Sequence, residues 1–335
     1  MAEAGTVELD AQYRQLREEC GLLDRSKRGK LLVEGSEAGE YLQGQLTNDV
    51  EGLEPGEGCY AALLDRKGHM QADMRVLDVS GTPTPGSGHG GDEPAAGGAH
   101  RGLWIDTEPV ALSAAKRHLE MYKVGRDVQI RDLTSECAIL SLIGPRSAEL
   151  AGAPLAEHAF DEIEIAARRW IAVGTLLGID LIGGVDYAAD AGAALAAAGA
   201  PAVSEQAAEI LRVEAGVPRL GAEMDAGTMP AEAGIVARAV DFEKGCYIGQ
   251  ETVARLHYRG KPNRHLRGLR LGAPAEPGAP LRLGEKAVGA LGSSCVSPAH
   301  GPIGLAILRR EAEPGAELAV GEDGVTARVV ELPFG

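Results

Sequence analysis

Apolar positions along this chain recur in two rhythms, and each rhythm predicts a kind of element. Residues 8–20 set Leu9, Tyr13 and Leu16 on one side of a short amphipathic helix, and residues 110–122 repeat the spacing with Leu112, Ala115, Leu119 and Tyr122. The run "YAADAGAALAAAGA" predicts an alanine-rich helix stopped by Gly199 and Pro201. Ser36 stands where it would cap a helix running through Leu46, with Glu37 and Glu40 in its first turns. Between these lie strand-like runs: "KLLVEGS", "LWIDTE", "VQIRDL", "CAILSLIG" and further ones from 161 to 182. The stretch "CYAALLDRKGHMQADMRVLDV" predicts two strands around an Arg-Lys-Gly turn, with the mixed alternation of a half-buried sheet. From about residue 263 the texture changes to short strands split by Gly and Pro, the pattern of a small all-β barrel or sandwich. Residues 81–100, "GTPTPGSGHGGDEPAAGGAH", are low in complexity and predict a flexible insertion between strands.

The helix over 204–216 departs from its own pattern at one position. Ser204 is its N-cap, Gly216-Val217-Pro218 its stop, and Ala207, Ile210 and Leu211 its apolar face. Glu214 falls on that same face. A carboxylate there must be paired or must point into a polar cavity. An ion pair with a nearby arginine and a contact to a ligand both meet that requirement.

Composition narrows the class. At 335 residues the chain exceeds the roughly 250–300 at which one core stops growing, so two or more packed units are expected. Aromatics are only 4%, so the cores must rest on Leu, Val, Ile and Ala. A net charge of −16 opposes broad binding to nucleic acid or anionic membranes. No window approaches ~20 apolar residues, and the acidic N-terminal stretch resembles neither a secretory signal nor a transit peptide. Five scattered cysteines without a CxxC argue against a disulfide framework and against a metal site of closely spaced ligands, and they suit a reducing, cytoplasmic setting. One local exception to the acidity is residues 252–275, which hold no acid but carry Arg255, Arg259, Lys261, Arg264, Arg267 and Arg270. They read either as a solvated hairpin or as a docking site for an anionic tail, carboxylate or phosphate.

The segment "DFEKGCYIGQET", Asp241 to Thr252, is too rich in glycine for a helix and too polar for a buried strand. It predicts a loop that presents a side chain. A thiol reacts as thiolate, and an ammonium such as that of Lys244 near Cys246 favours the ionised form. Free cysteine also packs well as a small apolar group, so an inert Cys246 is the competing reading.

The run "PAEAGIVARAVDFEKGCYIGQETVARLHYRG" (230–260) resembles the signature of the YgfZ-type folate-binding proteins, a family associated with iron–sulfur cluster assembly or repair and related to the aminomethyltransferase, or T protein, of the glycine cleavage system. "GLLDRSKRGKLLVEGSEAGEYLQGQLTNDV" (21–50), "LRVEAGVPRLGAEM" (211–224) and the closing "ELPFG" are similar to further family segments. The resemblance implies an α+β cloverleaf: two interwoven α/β lobes over 1–262 around a central folate pocket, and a C-terminal β-barrel over 263–335. It implies that Cys246 is the functional thiol, with Lys244, Gly245, Tyr247, Gly249, Gln250 and Glu251 shaping its loop. Asn48 and Asp49 would sit beside a tetrahydrofolate pocket and Glu214 would accept pterin N–H groups. Arg255 and its basic neighbours would meet a folate glutamate tail, and iron–sulfur client or assembly proteins would be the partners. Against the T-protein pattern, "GHMQADM" has Ala72 where the first of two acids would stand, leaving Asp73, and a "GYTGExG"-like segment is missing. The expected function is therefore a tetrahydrofolate-binding accessory protein. A true aminomethyltransferase or demethylase using Asp73 or Glu214 is the rival, and a passive folate-binding scaffold the third reading.

Overall fold

Glycine-bounded apolar runs become strands, and the helices cover them. The computed structural model describes residues 2–83, 101–322 and 324–335, with side chains from residue 8 onward. Most of the low-complexity stretch, residues 84–100, therefore lies outside the described residues. In chain order the first part holds α1 (Ala2–Glu18), β1 (Gly21–Asp24), β2 (Gly29–Gly35), α2 (Ala38–Gln45), β3 (Gly58–Leu64), β4 (Met70–Asp78), β5 (Arg101–Thr107), α3 (Pro109–Tyr122) and β6 (Gln129–Asp132). Next come β7 (Cys137–Ile143), α4 (Ser147–Ala151), β8 (Phe160–Ile165), β9 (Arg168–Thr175), β10 (Gly178–Gly184) and α5 (Ala188–Ala197). A helical stretch follows with α6 (Glu205–Glu214), α7 (Pro230–Ala233), α8 (Val236–Ala239) and α9 (Gln250–Arg259). The chain ends in β11 (Arg264–Leu271), β12 (Pro280–Leu283), β13 (Lys286–Ala290), β14 (Ser293–Ser297), β15 (Gly301–Arg309), β16 (Glu317–Val320) and β17 (Val325–Val330).

The strands form three antiparallel sheets. The first runs β3-β4-β5-β2-β6, the second β1-β7-β10-β9-β8, and the C-terminal one β13-β12-β16-β17-β11-β15-β14. In the last, β13 returns against β15 closely enough that a Cβ on Gly289 would lie 2.8 Å from the Ile307 carbonyl, which bends the sheet into barrel form. The fold is thus α+β, two α/β lobes and a C-terminal β-barrel. The first two sheets are interwoven, because β1 joins the second sheet while β2 joins the first.

What holds those two sheets together is partly apolar and partly ionic. Leu77, Trp104, Ile139, Phe160, Ile171 and Ile182 form one buried cluster drawing on both, and each such side chain contributes about 1.5–3 kcal/mol on burial. Beside them Arg75 bridges Asp106 at 2.8 Å and Asp180 at 2.9 Å, and the Ser141 hydroxyl donates to Asp180 at 2.6 Å. Such a buried network adds little net stability, but removing one partner would strand an uncompensated charge.

Helix α6 forms as its caps predict: the Ser204 side chain accepts from the Ala207 N–H at 3.2 Å. Its apolar face packs on Tyr13 and Leu16 of α1. Two expectations change. Ser36 does not cap α2; its hydroxyl donates instead to Asp127 at 2.5 Å, and Glu37 takes the N-cap position. The basic segment is not a hairpin, since Arg255 and Arg259 ride on α9 while Arg264, Arg267 and Arg270 lie on β11. Among the described residues no helix is long and apolar enough to cross a membrane.

Candidate functional site

The loop from Asp241 to Gly249 is fixed at several points. Its backbone begins on Thr47, whose carbonyl accepts from the Asp241 N–H at 3.0 Å, and the Asp241 carboxylate accepts from the Glu243 and Lys244 N–H groups at 2.6 and 3.1 Å. The Lys244 ammonium donates to three carbonyls, those of Gln43 at 2.7 Å, Leu46 at 2.6 Å and Asn48 at 2.8 Å. These are acceptors left over where α2 ends, so one lysine closes the helix and ties it to the loop. Burial lowers the Lys244 pKa to about 8 against the pull of Asp49. Three residues beyond the thiol, Gly249 turns with φ of 86°, and a Cβ there would lie 2.6 Å from the Asp65 carbonyl of the β3–β4 turn. No residue with a side chain fits that position without displacing the turn.

Between these anchors the side chains alternate. Lys244 is half-buried, Gly245 and Cys246 are exposed, and Tyr247 is buried in the core of the first lobe, with the Lys244 ammonium 5.2 Å from its ring. Cys246 is the only exposed cysteine of the five. Burial pushes the Cys20 thiol up to about 11 and those of Cys59, Cys137 and Cys295 to about 12. The loop thus displays one thiol and the fold silences the other four. Lys244 ties down the loop that carries the thiol, its three N–H bonds going to carbonyls of residues 43–48. Gln250 and Glu251 open α9 directly after the loop.

A second group lies along the same connection. The Asn48 side-chain amide donates to the Tyr60 carbonyl at 2.8 Å and to the Arg238 carbonyl at 3.1 Å, while Asp49 accepts from the Gln43 amide at 2.8 Å and the Gly52 N–H at 3.2 Å. The Tyr60 hydroxyl donates to Asp73 at 2.7 Å, and the other Asp73 oxygen is buried without a partner. Burial raises the Asp73 pKa against that hydrogen bond and the charge of Arg28. Arg28 itself is held by Asp106 at 2.9 Å and by Glu108. The Arg238 guanidinium lies 5.2 Å over the Tyr60 ring and is paired with Glu157. His158, at a positive φ of 67°, is pushed down to about 4 by burial.

Tyr60, Arg28 and Arg238 escaped the sequence reading, although Tyr60 carried a signal. Ala62 pairs with Asp73 across the β3–β4 ladder, so Tyr60, two residues earlier, is its diagonal neighbour on the same face. Counting register back from the Arg-Lys-Gly turn reaches it.

Glu214 has partners other than those of Asp73. Its carboxylate accepts from the Tyr13 hydroxyl at 3.0 Å and the Ser297 hydroxyl at 2.5 Å, with Arg17 at 3.9 Å, which joins α1, α6 and the barrel. The polar residue on the apolar face is answered by partners within the protein.

Of the basic residues after Thr252, Arg264 pairs with Glu232, Arg267 lies 3.6 Å from Glu331, and Arg270 donates to the Gly335 carbonyl. Arg255, Arg259 and Lys261 are exposed. A cleft of about 850 Å³ opens between residues 219–228 and strands β13–β15, away from the thiol loop. Of its charged lining, Arg219 holds Glu205 and Glu209, Arg264 holds Glu232, and Glu223 takes Arg212 on one of its two oxygens.

Comparison with known proteins agrees at both ends of the chain. The family described as GCVT N-terminal domain matches residues 6–82, and that described as CAF17, C-terminal beta-barrel domain matches residues 265–332. An aminomethyltransferase of Rubrobacter xylanophilus is 29% identical over 340 residues, covering 97% of this chain and 86% of its own. A tRNA-modifying protein YgfZ of Colwellia psychrerythraea is 26% identical over 255 residues, covering 74% and 71%. The crystal structure of the glycine cleavage system aminomethyltransferase T of Bartonella henselae superposes with a TM-score of 0.82 at 21% identity, over 98% of this chain and 89% of that one, so the fold is shared. With the N-terminal and barrel family models matched at its two ends, a YgfZ similar to it along most of its length and the T-protein fold throughout, the chain resembles the YgfZ-type relatives of the glycine cleavage T protein.

Proposed function

We propose that this protein binds a reduced folate and supports the assembly or repair of iron–sulfur clusters in client enzymes through Cys246. The observation that carries the reading is the display of one thiol by a loop fixed at Lys244, Tyr247 and Gly249, beside a connection that leads through Asn48 to Tyr60 and Asp73. A single thiolate is not a four-ligand site, so Cys246 would contribute one ligand to a cluster in transit while the client supplies the others. A net charge of −16 supports action on proteins rather than directly on RNA. A reducing compartment such as the cytoplasm would keep the thiol free.

The residues present fit a folate. The partnerless Asp73 oxygen is a buried acceptor with no donor, and a reduced pterin offers N–H donors. Asp73 takes the accepting role first assigned to Glu214, with Tyr60 holding its other oxygen and Asn48 and Asp49 bracing the adjoining turn. When bound, the folate would supply one-carbon chemistry, and the protein's residues would orient it.

The test is a pair of variants. Cys246→Ala should lower client iron–sulfur enzyme activity in cells to the level of a deletion strain while leaving tetrahydrofolate binding intact. Asp73→Asn should weaken tetrahydrofolate binding and leave Cys246 alkylation unchanged. Normal client activity with Cys246→Ala would sink the thiol reading.

One observation favours a second reading, aminomethyl transfer: Asp73 remains buried with a raised pKa, as a proton-handling group would be. No methylenetetrahydrofolate from an aminomethyl donor and tetrahydrofolate would remove it.

A further inference from the structure

The thiol loop runs directly into α9, and α9 borders a groove that the thiol reading leaves unused. The groove, about 280 Å³, lies among α7, α8 and α9, with a floor of Val236, Ala237, Val253, Leu256 and Pro262 and His257 at one side. That volume is below the range of drug-sized pockets and suits one or two aliphatic side chains. Next to it Tyr258 is 68% exposed, its ring edge-on to Phe242 and His257.

The charge around the groove is unlike the rest of the molecule. Arg255 and Arg259 are exposed on α9 and Lys261 follows it. Arg66 and Lys67, also exposed, stand in the β3–β4 turn, which presses on the start of α9 where a Cβ on Gly68 would lie 2.9 Å from Thr252. Thr252, Arg255 and Arg259 share one stripe of the helix. Among the described residues none of these five cations has a carboxylate partner, whereas Arg264, Arg267 and Arg270 on the next strand each find an intramolecular partner. The nearby acids are Glu251 and Glu243, both exposed, Glu232 on α7, which is taken by Arg264, and Asp65, which is occupied by His69 and its own turn. A local positive excess is thus kept on a protein of net charge −16.

We propose that this groove and its basic rim dock an acidic segment of the client protein, with a leucine or isoleucine anchored on Leu256 and Val236 and flanking carboxylates facing Arg255, Arg259 and Lys261. The inference rests on the thiol reading and names how the partner is recognised. An apolar anchor in a pocket supplies affinity, and the charged rim supplies steering and orientation. A nucleic acid is the weaker fit, because five cations on an acidic protein make a short track and the floor is aliphatic rather than a stacking platform. Docking along α9 would bring the client's cluster-binding region to the end of the helix where Cys246 stands.

The test uses the full chain and a fluorescein-labelled peptide of about ten residues alternating pairs of Glu and Leu, beside a version with Gln for Glu, read by anisotropy. The Glu peptide should bind saturably and more weakly at higher salt. The double variant Arg255→Glu, Arg259→Glu should weaken it by about tenfold or more, and so should Ala237→Phe, which fills the groove from an exposed position. Cys246→Ser should bind the peptide as the parent does, so the docking site and the thiol chemistry stand or fall separately. Equal binding of the Gln peptide, absence of saturable binding, or variants without effect would overturn the proposal. Tighter binding of an oligothymidylate that displaces the peptide would overturn it in favour of nucleic acid.

Discussion

Two places in this molecule break the sequence pattern around them, and they resolve in opposite ways. At Glu214 a carboxylate sits on an apolar helix face, and the fold surrounds it with Tyr13, Ser297 and Arg17. At Cys246 a small apolar side chain sits in a polar loop, and the fold anchors its neighbours and leaves it in solvent. The lesson concerns where partners come from. A misplaced group whose hydrogen-bonding capacity is met inside the protein is a joint. A group displayed by anchored neighbours, with no partner of its own, points outward to something the chain does not contain.

The sharpest way to break the contrast is chemical. In the native protein iodoacetamide should modify Cys246 at least about a hundredfold faster than the other four cysteines, since thiols raised to 11–12 hold little thiolate at neutral pH. Mass spectrometry of partly labelled protein reads this directly. Comparable labelling of Cys59 or Cys295 would erase the distinction. Next in size is the joint. Glu214→Ala leaves two buried hydroxyls without their acceptor and should cost about 3 kcal/mol in urea unfolding while leaving Cys246 labelling unchanged. A coupled loss of thiol reactivity would show that the two places are one site after all.

The loop itself should respond more modestly to Lys244→Met. Three carbonyls then lose their donor, and about 2 kcal/mol should be lost, with Cys246 labelling becoming less uniform as the loop loosens. If the role of Lys244 were to activate the thiol directly, the labelling rate would fall sharply with stability untouched. The smallest effect concerns His158. Its imidazole takes up a proton near pH 4 in the fold but near 6.5 in the unfolded chain, so its contribution is present above pH 6.5 and is lost as pH falls towards 4. His158→Asn, which tolerates the positive φ, should flatten the stability profile across that window by roughly 1–2 kcal/mol. An unchanged slope would assign the acid sensitivity to carboxylates.

How much of this was legible in the sequence depended on the range of the determining contacts. Helix α6 was readable because Ser204 and Gly216 mark its ends locally. The display of Cys246 was readable from glycines within three residues of it, and the motif carried the family. Tyr60 beside Asp73 required the register of a hairpin that the pattern predicted without its pairing. Helix α9 was hidden because a positive-φ glycine precedes it and its polar residues outnumber its apolar ones. Glu214 announced that it needed partners but not which, since Tyr13 and Ser297 lie 201 and 83 positions away.

That last separation has a consequence during synthesis. At translation rates of about 5–20 residues per second, Tyr13 is made roughly 10–40 s before Glu214. Until then α1 has neither the carboxylate its tyrosine bonds nor the α6 face its Leu16 packs on. Helix α1, made well ahead of α6, therefore waits to find its place, and a nascent chain stalled before residue 205 would show its apolar stripe to any chaperone that scans for one.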